Sequence, residues 1–295
     1  MTIRIIVGVD GSAPSIVALR WAAFEARRRK AEMVAVSCYS VPVYGSPEGA
    51  VYPTPDDIDM FRESATAIVE RAAQTVADID PAIVVEGVSA MAPATIAISD
   101  AARPGDEIVV GATGHTGVID GLLGSVAMSV VHRSHVPVII VPAKPVAVIG
   151  STMKKIVVGV DGSPGSLQAL EWAYNEALVS GAELTAVHGW IYPYSGAHTS
   201  VSEPRTQMQL DAMEELKASL ESLGPRLNGG SLHVHARLVE QSPAEALLAE
   251  SKDADLVVVG SRGRGAVRAT LLGSVSRTVA QHATCPVAVI RLSES

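Results

Sequence analysis

The chain has 295 residues, is 48% hydrophobic and 18% charged, and carries a formal net charge of -8. That length suits about two domains and the composition suits compact domains, not disorder; 11 Lys and Arg against 16 Asp and Glu up to residue 146, and 12 against 15 after it, exclude a basic nucleic-acid module in either half. No charged leader precedes an apolar stretch and no run approaches the ~20 apolar residues of a membrane helix, so the expectation is a cytoplasmic protein without membrane insertion.

Short apolar runs rich in β-branched residues alternate with helical patterns, which signals parallel βα architecture. The first half reads as strands over 3–9, 33–39, 83–89, 107–110 and 136–141. Ser12 is placed to cap a first helix, Pro14 falls in its first turn, and Ile16, Leu19, Ala23 and Ala26 recur at helical spacing. Further helices are expected over 57–76, 94–101 and 125–133. The proline-rich stretches 41–55 and 191–204 read as lids, partner loops or tolerated insertions.

The second half repeats the first. Gly8-Val9-Asp10-Gly11-Ser12 returns as Gly159-Val160-Asp161-Gly162-Ser163, and Trp21 and Glu25 match Trp172 and Glu176, all at an offset of 151. Gly111, Gly124 and Pro137 match Gly260, Gly273 and Pro286 at 149. A tandem duplication follows: domains at 1–143 and 153–295 joined by a linker at 144–152. Second-half helices are expected at 207–223, 244–250 and 274–283, with Leu167, Leu170, Tyr174 and Ala177 on the first one's face. Cys38 and Cys285 occupy non-matching positions, beside Gly189 and Val136, so neither a disulfide framework nor a zinc site is indicated. His233 and His235 share a strand face without an evident third ligand.

In each half the apolar run that precedes Gly111 or Gly260 ends in a glycine-rich loop that opens onto a helix N-terminus. Glycines let backbone amides approach a ligand, and the first helical turn has amides without internal partners, so an anion fits there. The second loop carries Arg262, Arg264, Arg268 and Arg277 with no acidic residue; the first has Thr113 and His115 instead, and Asp120. The loss of one or two charge-assisted hydrogen bonds, roughly 1.5 to 3 kcal/mol each, predicts weaker phosphate binding in the first half. No Walker lysine pattern, nucleophile elbow or dinucleotide fingerprint is present, and no general base stands beside the loop, so slow turnover at most is expected.

The spacing Gly-x2-Gly-x9-Gly-Ser, as Gly111/Gly114/Gly124/Ser125 and again as Gly260/Gly263/Gly273/Ser274, combined with Val-Asp-Gly-Ser after an initial strand, resembles the universal stress protein family in its tandem-domain, ATP-binding form. The resemblance covers essentially the whole chain. It implies two Rossmann-like α/β domains of the adenine nucleotide alpha hydrolase type, each a five-stranded parallel sheet of order 3-2-1-4-5 with helices on both faces. It further implies an intramolecular pseudo-dimer joined through the fifth strands, a possible homodimer of chains, and a stress or growth regulatory role exercised through a protein partner.

Carried onto these positions, the resemblance implies an adenine nucleotide, ATP with Mg2+, in each domain. Asp10 and Asp161 stand at the nucleoside end, Gly8 and Gly159 let the ligand approach the first strand, and the backbone at Cys38 and Gly189 meets the base edge. Gly111 and Gly260 border the ribose. The phosphates fall to the loop Ala112, Thr113, Gly114, His115, Thr116 and Gly117 with Gly124 and Ser125, and to Ser261, Arg262, Gly263, Arg264 and Gly265 with Gly273, Ser274 and Val275. The rival readings are a slow ATPase or nucleotide-transfer enzyme and an interaction scaffold without functional nucleotide binding.

Overall fold

Isoleucine, valine and leucine dominate the inner strands, where side chains are buried without alternation, as in sheets covered on both faces. The computed structural model describes residues 3–41, 44–46, 49–51, 53–114, 123–143, 152–192, 204–224, 232–263 and 272–291. The chain divides into two compact units, Met1–Pro145 and Val146–Ser295.

In the N-terminal unit β1 (Arg4–Gly8), α1 (Ala13–Arg29) and β2 (Glu32–Cys38) are followed by a short hairpin, β3 (Tyr44–Ser46) and β4 (Gly49–Val51). Then come α2 (Pro55–Ile79), β5 (Val85–Ala90), α3 (Ala94–Ala101), β6 (Glu107–Gly111), α4 (Ser125–Arg133) and β7 (Val138–Val141). Leaving the hairpin aside, the main sheet is fully parallel in the order β5-β2-β1-β6-β7, which is 3-2-1-4-5. The hairpin, inside the stretch 41–55, is structure that composition did not indicate.

The C-terminal unit repeats the plan with β8 (Lys155–Gly159), α5 (Pro164–Ser180), β9 (Glu183–Gly189), α6 (Arg205–Glu221) and β10 (Val234–Val239). It continues with α7 (Pro243–Glu250), a 3-10 turn (Ser251–Asp253), β11 (Leu256–Gly260), α8 (Ser274–His282) and β12 (Val287–Ile290). Its strands run β10-β9-β8-β11-β12, again parallel and again 3-2-1-4-5. The stretch 193–203 lies outside the described residues.

Ser12 caps α1 by accepting from the Ser15 amide at 3.3 Å, and Pro14 occupies the first turn. The buried face of α1 runs through Ser15, Ala18, Leu19, Ala22, Ala23 and Ala26. Ile16, expected in that stripe, is 38% exposed. One residue is ~100° of helix, and the alanine-rich stripe that packs on the sheet starts at Ser15. Leu170, Tyr174 and Ala177 are buried as the matching stripe of α5, and Leu167 is half-buried.

Candidate functional site

The site grows from the end of the first strand in each unit. Gly11 has φ 81°, a left-handed turn that lets Asp10 fold back over the start of α1. Asp10 Oδ1 accepts from the Ser12 amide at 2.9 Å and the Ser12 hydroxyl at 2.6 Å. The C-terminal unit repeats this: Asp161 Oδ1 accepts from Ser163 N at 3.0 Å and Ser163 Oγ at 2.5 Å, and Ser163 Oγ accepts from Ser166 N at 3.3 Å.

The other carboxylate oxygen faces the fourth-strand loop. A Cβ added to Gly114 would stand 3.1 Å from Asp10 Oδ2, and one added to Gly263 would collide with Asp161 Oδ2. Residues far apart in sequence meet because β1 lies beside β6, and β8 beside β11. Gly111 and Gly260 have a packing reason of their own: a Cβ there would come within 3.0 Å of Pro14 O and within 2.8 Å of Gly165 O. The starts of the glycine-rich loops, at Gly111 and Gly260, therefore lie against the first turn of α1 and α5.

Among the described residues a backbone bond joins the ends of each loop, Gly124 N to Ala112 O at 2.7 Å and Gly273 N to Ser261 O at 2.9 Å. Gly124 and Gly273 are the N-caps of α4 and α8, and neither helix start receives a side-chain cap. The amides at Ser125 and Ser274 thus begin helices whose first-turn donors need a partner. Cavities occupy both places. The N-terminal one, about 280 Å³, is walled by Asp10, Cys38, Ile98, Thr113 and Gly124. The C-terminal one, about 480 Å³, is walled by Asp161, Gly189, Leu247, Arg262 and Ser274, with Val275 beyond.

Of the expected residues, Gly8, Asp10, Cys38, Gly111, Thr113, Gly114, Gly124 and Ser125 line the first cavity. Gly159, Asp161, Gly189, Gly260, Arg262, Gly263, Gly273, Ser274 and Val275 line the second. Ala112 and Ser261 close the loops behind them. His115, Thr116, Gly117, Arg264 and Gly265 lie outside the described residues.

Gly8 and Gly159, which line their cavities, also have a packing reason. A Cβ at Gly8 would stand 2.6 Å from Ile98 Cδ1, and at Gly159 2.8 Å from Leu247 Cδ1. They admit an aliphatic side chain from α3 or α7, which in turn forms a cavity wall.

The thiols differ. Cys38, half-buried in the first cavity wall, is held above its ordinary range by burial. Cys285 is buried and pushed up to about 12 by desolvation first and by the charge of Asp255 second. Among the described residues no three His, Cys, Asp or Glu side chains group to hold a metal, although the His233 and His235 rings lie 4.9 Å apart.

The second cavity also touches His188 and Glu215, which the motifs did not indicate. His188 Nδ1 is 2.9 Å from Val160 O, and its Nε2 is 3.7 Å from Glu215 Oε2. The offsets carried a signal: position 188 matches Ser37, so a titratable ring replaces a hydroxyl at the corresponding place on the second strand of the unit.

Comparison with known proteins agrees with the repeated α/β fold. The universal stress protein family model matches residues 1–142 and again 152–291. A universal stress protein of Mycolicibacterium smegmatis is 35% identical, covering 97% of this chain and 96% of its own. One from Mycobacterium tuberculosis is 33% identical over 99% and 97%. The crystal structure of a universal stress protein from Archaeoglobus fulgidus shares the fold, with a TM-score of 0.72 at 22% identity and 98% coverage of both chains. With two full-domain family matches and relatives above 30% identity along its length, the chain belongs to the universal stress protein family.

Proposed function

We propose that the chain is an ATP-binding regulatory protein in which the nucleotide acts as a signal and is turned over slowly at most. The observation that carries this reading is the recurrence, in both units, of a cavity bounded by the same four features. These are an aspartate folded over a helix cap, glycines that admit no Cβ, a loop whose ends a backbone bond joins, and an uncapped helix N-terminus. Selective retention of all four in two copies is better matched to a ligand than to helix termination alone, for which a Ser or Asp cap suffices.

The aspartate end suits a nucleoside and the amide end suits phosphates. Magnesium enters this reading as the counter-ion of the triphosphate, because the described residues offer no three-ligand group for a dedicated cation. No helix among the described residues is long and apolar enough to cross a membrane. Regulation requires a partner surface or loop whose conformation differs in free energy with and without nucleotide.

The test is to purify the chain without added nucleotide, denature it and quantify adenine nucleotides in the supernatant. About two ATP per chain support both sites and about one supports an unequal pair. No nucleotide, together with no thermal stabilisation by MgATP, defeats the reading, since a ligand at ~100 times its dissociation constant adds ~2.7 kcal/mol.

A further inference from the structure

The two cavities differ in extent as well as in lining. In the C-terminal unit one space reaches Pro243 and Leu247 on α7 and also His188 and Glu215. Consecutive strand residues point to opposite faces. The Cβ position of Gly189 is directed at Pro243, so His188, one residue earlier, points to the other face, where Glu215 stands on α6. The C-terminal cavity therefore passes over the strand ends into a lobe between the sheet and α6.

In the N-terminal unit that space is divided. The main cavity ends on the α3 side, and a separate pocket of about 40 Å³ on the α2 side is walled by Gly11, Ile68 and Arg71. The buried stripe Ala65, Val69, Ala72, Val76 of α2 corresponds to Ala212, Leu216, Ser219, Leu223 along and just after α6. By that register Ile68 takes the place of Glu215. Ile68 Cγ1 sits 3.6 Å from the Cβ position of Gly11, an apolar wall where the second unit has a carboxylate, while Ser37 replaces His188.

The chemistry of the lobe follows from two atoms. A carbonyl accepts only, so the 2.9 Å contact with Val160 O requires Nδ1 of His188 to carry hydrogen. In the neutral ring Nε2 is then an acceptor, and 3.7 Å away stands a carboxylate oxygen of Glu215, also an acceptor. A donor nitrogen seated between them lies ~2.9 Å from each, within hydrogen-bond reach. An oxygen acceptor in the same place meets two like partners.

The geometry points to Glu215 and His188 as specificity-determining residues of the C-terminal site, which select a base bearing an exocyclic amine over one bearing a carbonyl at that position. This rests on the nucleotide reading above, in which the base edge lies at Gly189, the neighbour of His188. The N-terminal site, with Ser37 and Ile68, lacks this discrimination.

The test compares ATP with inosine triphosphate, which has a carbonyl where adenine has its amine, by calorimetry on the full chain. Gly114→Asp leaves the C-terminal site to be measured and Gly263→Asp the N-terminal one. The ATP preference is expected to be roughly tenfold larger at the C-terminal site. In the Gly114→Asp background, Glu215→Gln and Glu215→Ile bring it down to the N-terminal value with melting temperature retained. His188→Ser does the same; because His188 is buried, the Glu215 variants decide the outcome if that variant unfolds. An unchanged ratio in folded Glu215→Gln and Glu215→Ile overturns the assignment while ATP binding stands. Failure of the parent chain to bind either nucleotide overturns the nucleotide reading, and this inference with it.

Discussion

The two units keep the same backbone geometry and differ in the side chains that complete it. Asp10 and Asp161 hold the same turn, and Gly124 and Gly273 the same loop closure. Yet Thr113 stands where the second unit has Arg262, Cys38 where it has Gly189, and Ser37 where it has His188. The Thr113 hydroxyl oxygen is buried and has no hydrogen-bond partner among the described residues. Such a group costs about 1 to 3 kcal/mol unless a ligand or water satisfies it. The duplication has preserved what the main chain needs and let the contacts a ligand would read diverge.

The largest effects should come from closing one site at a time. Gly263→Asp drives a carboxylate into Asp161, and Gly114→Asp does the same at Asp10. Each variant is expected to lose one nucleotide site by equilibrium dialysis while the other persists. The site left in Gly114→Asp should bind ATP about tenfold more tightly than the site left in Gly263→Asp, since the C-terminal wall carries Arg262. Equal affinities would refute the unequal pair.

A smaller effect isolates the cation itself. Arg262→Thr converts the second wall to the first, and ATP affinity at that site should fall roughly tenfold with AMP affinity nearly unchanged, because one charge-assisted contact to a polyphosphate is removed. A parallel loss for AMP would place Arg262 away from the β- and γ-phosphates.

Gly189 and Cys38 sharpen the contrast on stability. A Cβ at Gly189 would stand 2.7 Å from Pro243 Cα and 3.0 Å from Gln241 O, backbone that has no rotamer to change. Gly189→Ala should destabilise the C-terminal unit by ~1–2 kcal/mol in urea unfolding. The matching strand end holds Cys38 without such a clash, so Cys38→Gly should cost less, ~0.5–1 kcal/mol, through backbone entropy. Equal unfolding midpoints for Gly189→Ala and the parent chain would mean that β9 and α7 separate readily.

The duplication made most of the lining of the candidate site legible, because two copies of one glycine spacing mark positions where backbone geometry admits little else. The strand order came through the family resemblance, and the pairing of β1 with β6 and β8 with β11 bears it out. Side-chain roles were harder to read. Ile16 falls on the helical repeat yet faces solvent, and Gly8, which lines the cavity, also has to be small to receive Ile98. His188 and Glu215 belong to no motif and lie on different elements. Only the strand and helix registers bring them together, and those depend on how α6 packs.

The smallest expected effect concerns an ion pair that the two units arrange differently. In the first, Arg4 reaches Asp106 at 2.5 Å and the Ala101 carbonyl at 3.1 Å. In the second, Lys155 turns to Glu250, which occupies the place of Ala101, at 2.9 Å, while Asp255 accepts from the Lys155 amide at 2.9 Å. The Lys155 hydrogen bond holds the Glu250 carboxyl below its ordinary 4.5, with the charges of Lys155 and Arg237 adding to it against partial burial. A carboxylate depressed in the folded state contributes stability above its unfolded pKa, and that contribution disappears as pH falls through the folded value. Lys155→Met should therefore cost the C-terminal unit up to ~1 kcal/mol at pH 7, limited by solvent screening, and close to nothing from this pair once the pH lies below the folded pKa of Glu250. Chemical shifts of the Glu250 side chain should titrate nearer the ordinary value in the variant. A stability difference that stays constant from pH 7 to below the folded pKa of Glu250 would instead assign the loss to the packing of the Lys155 alkyl chain.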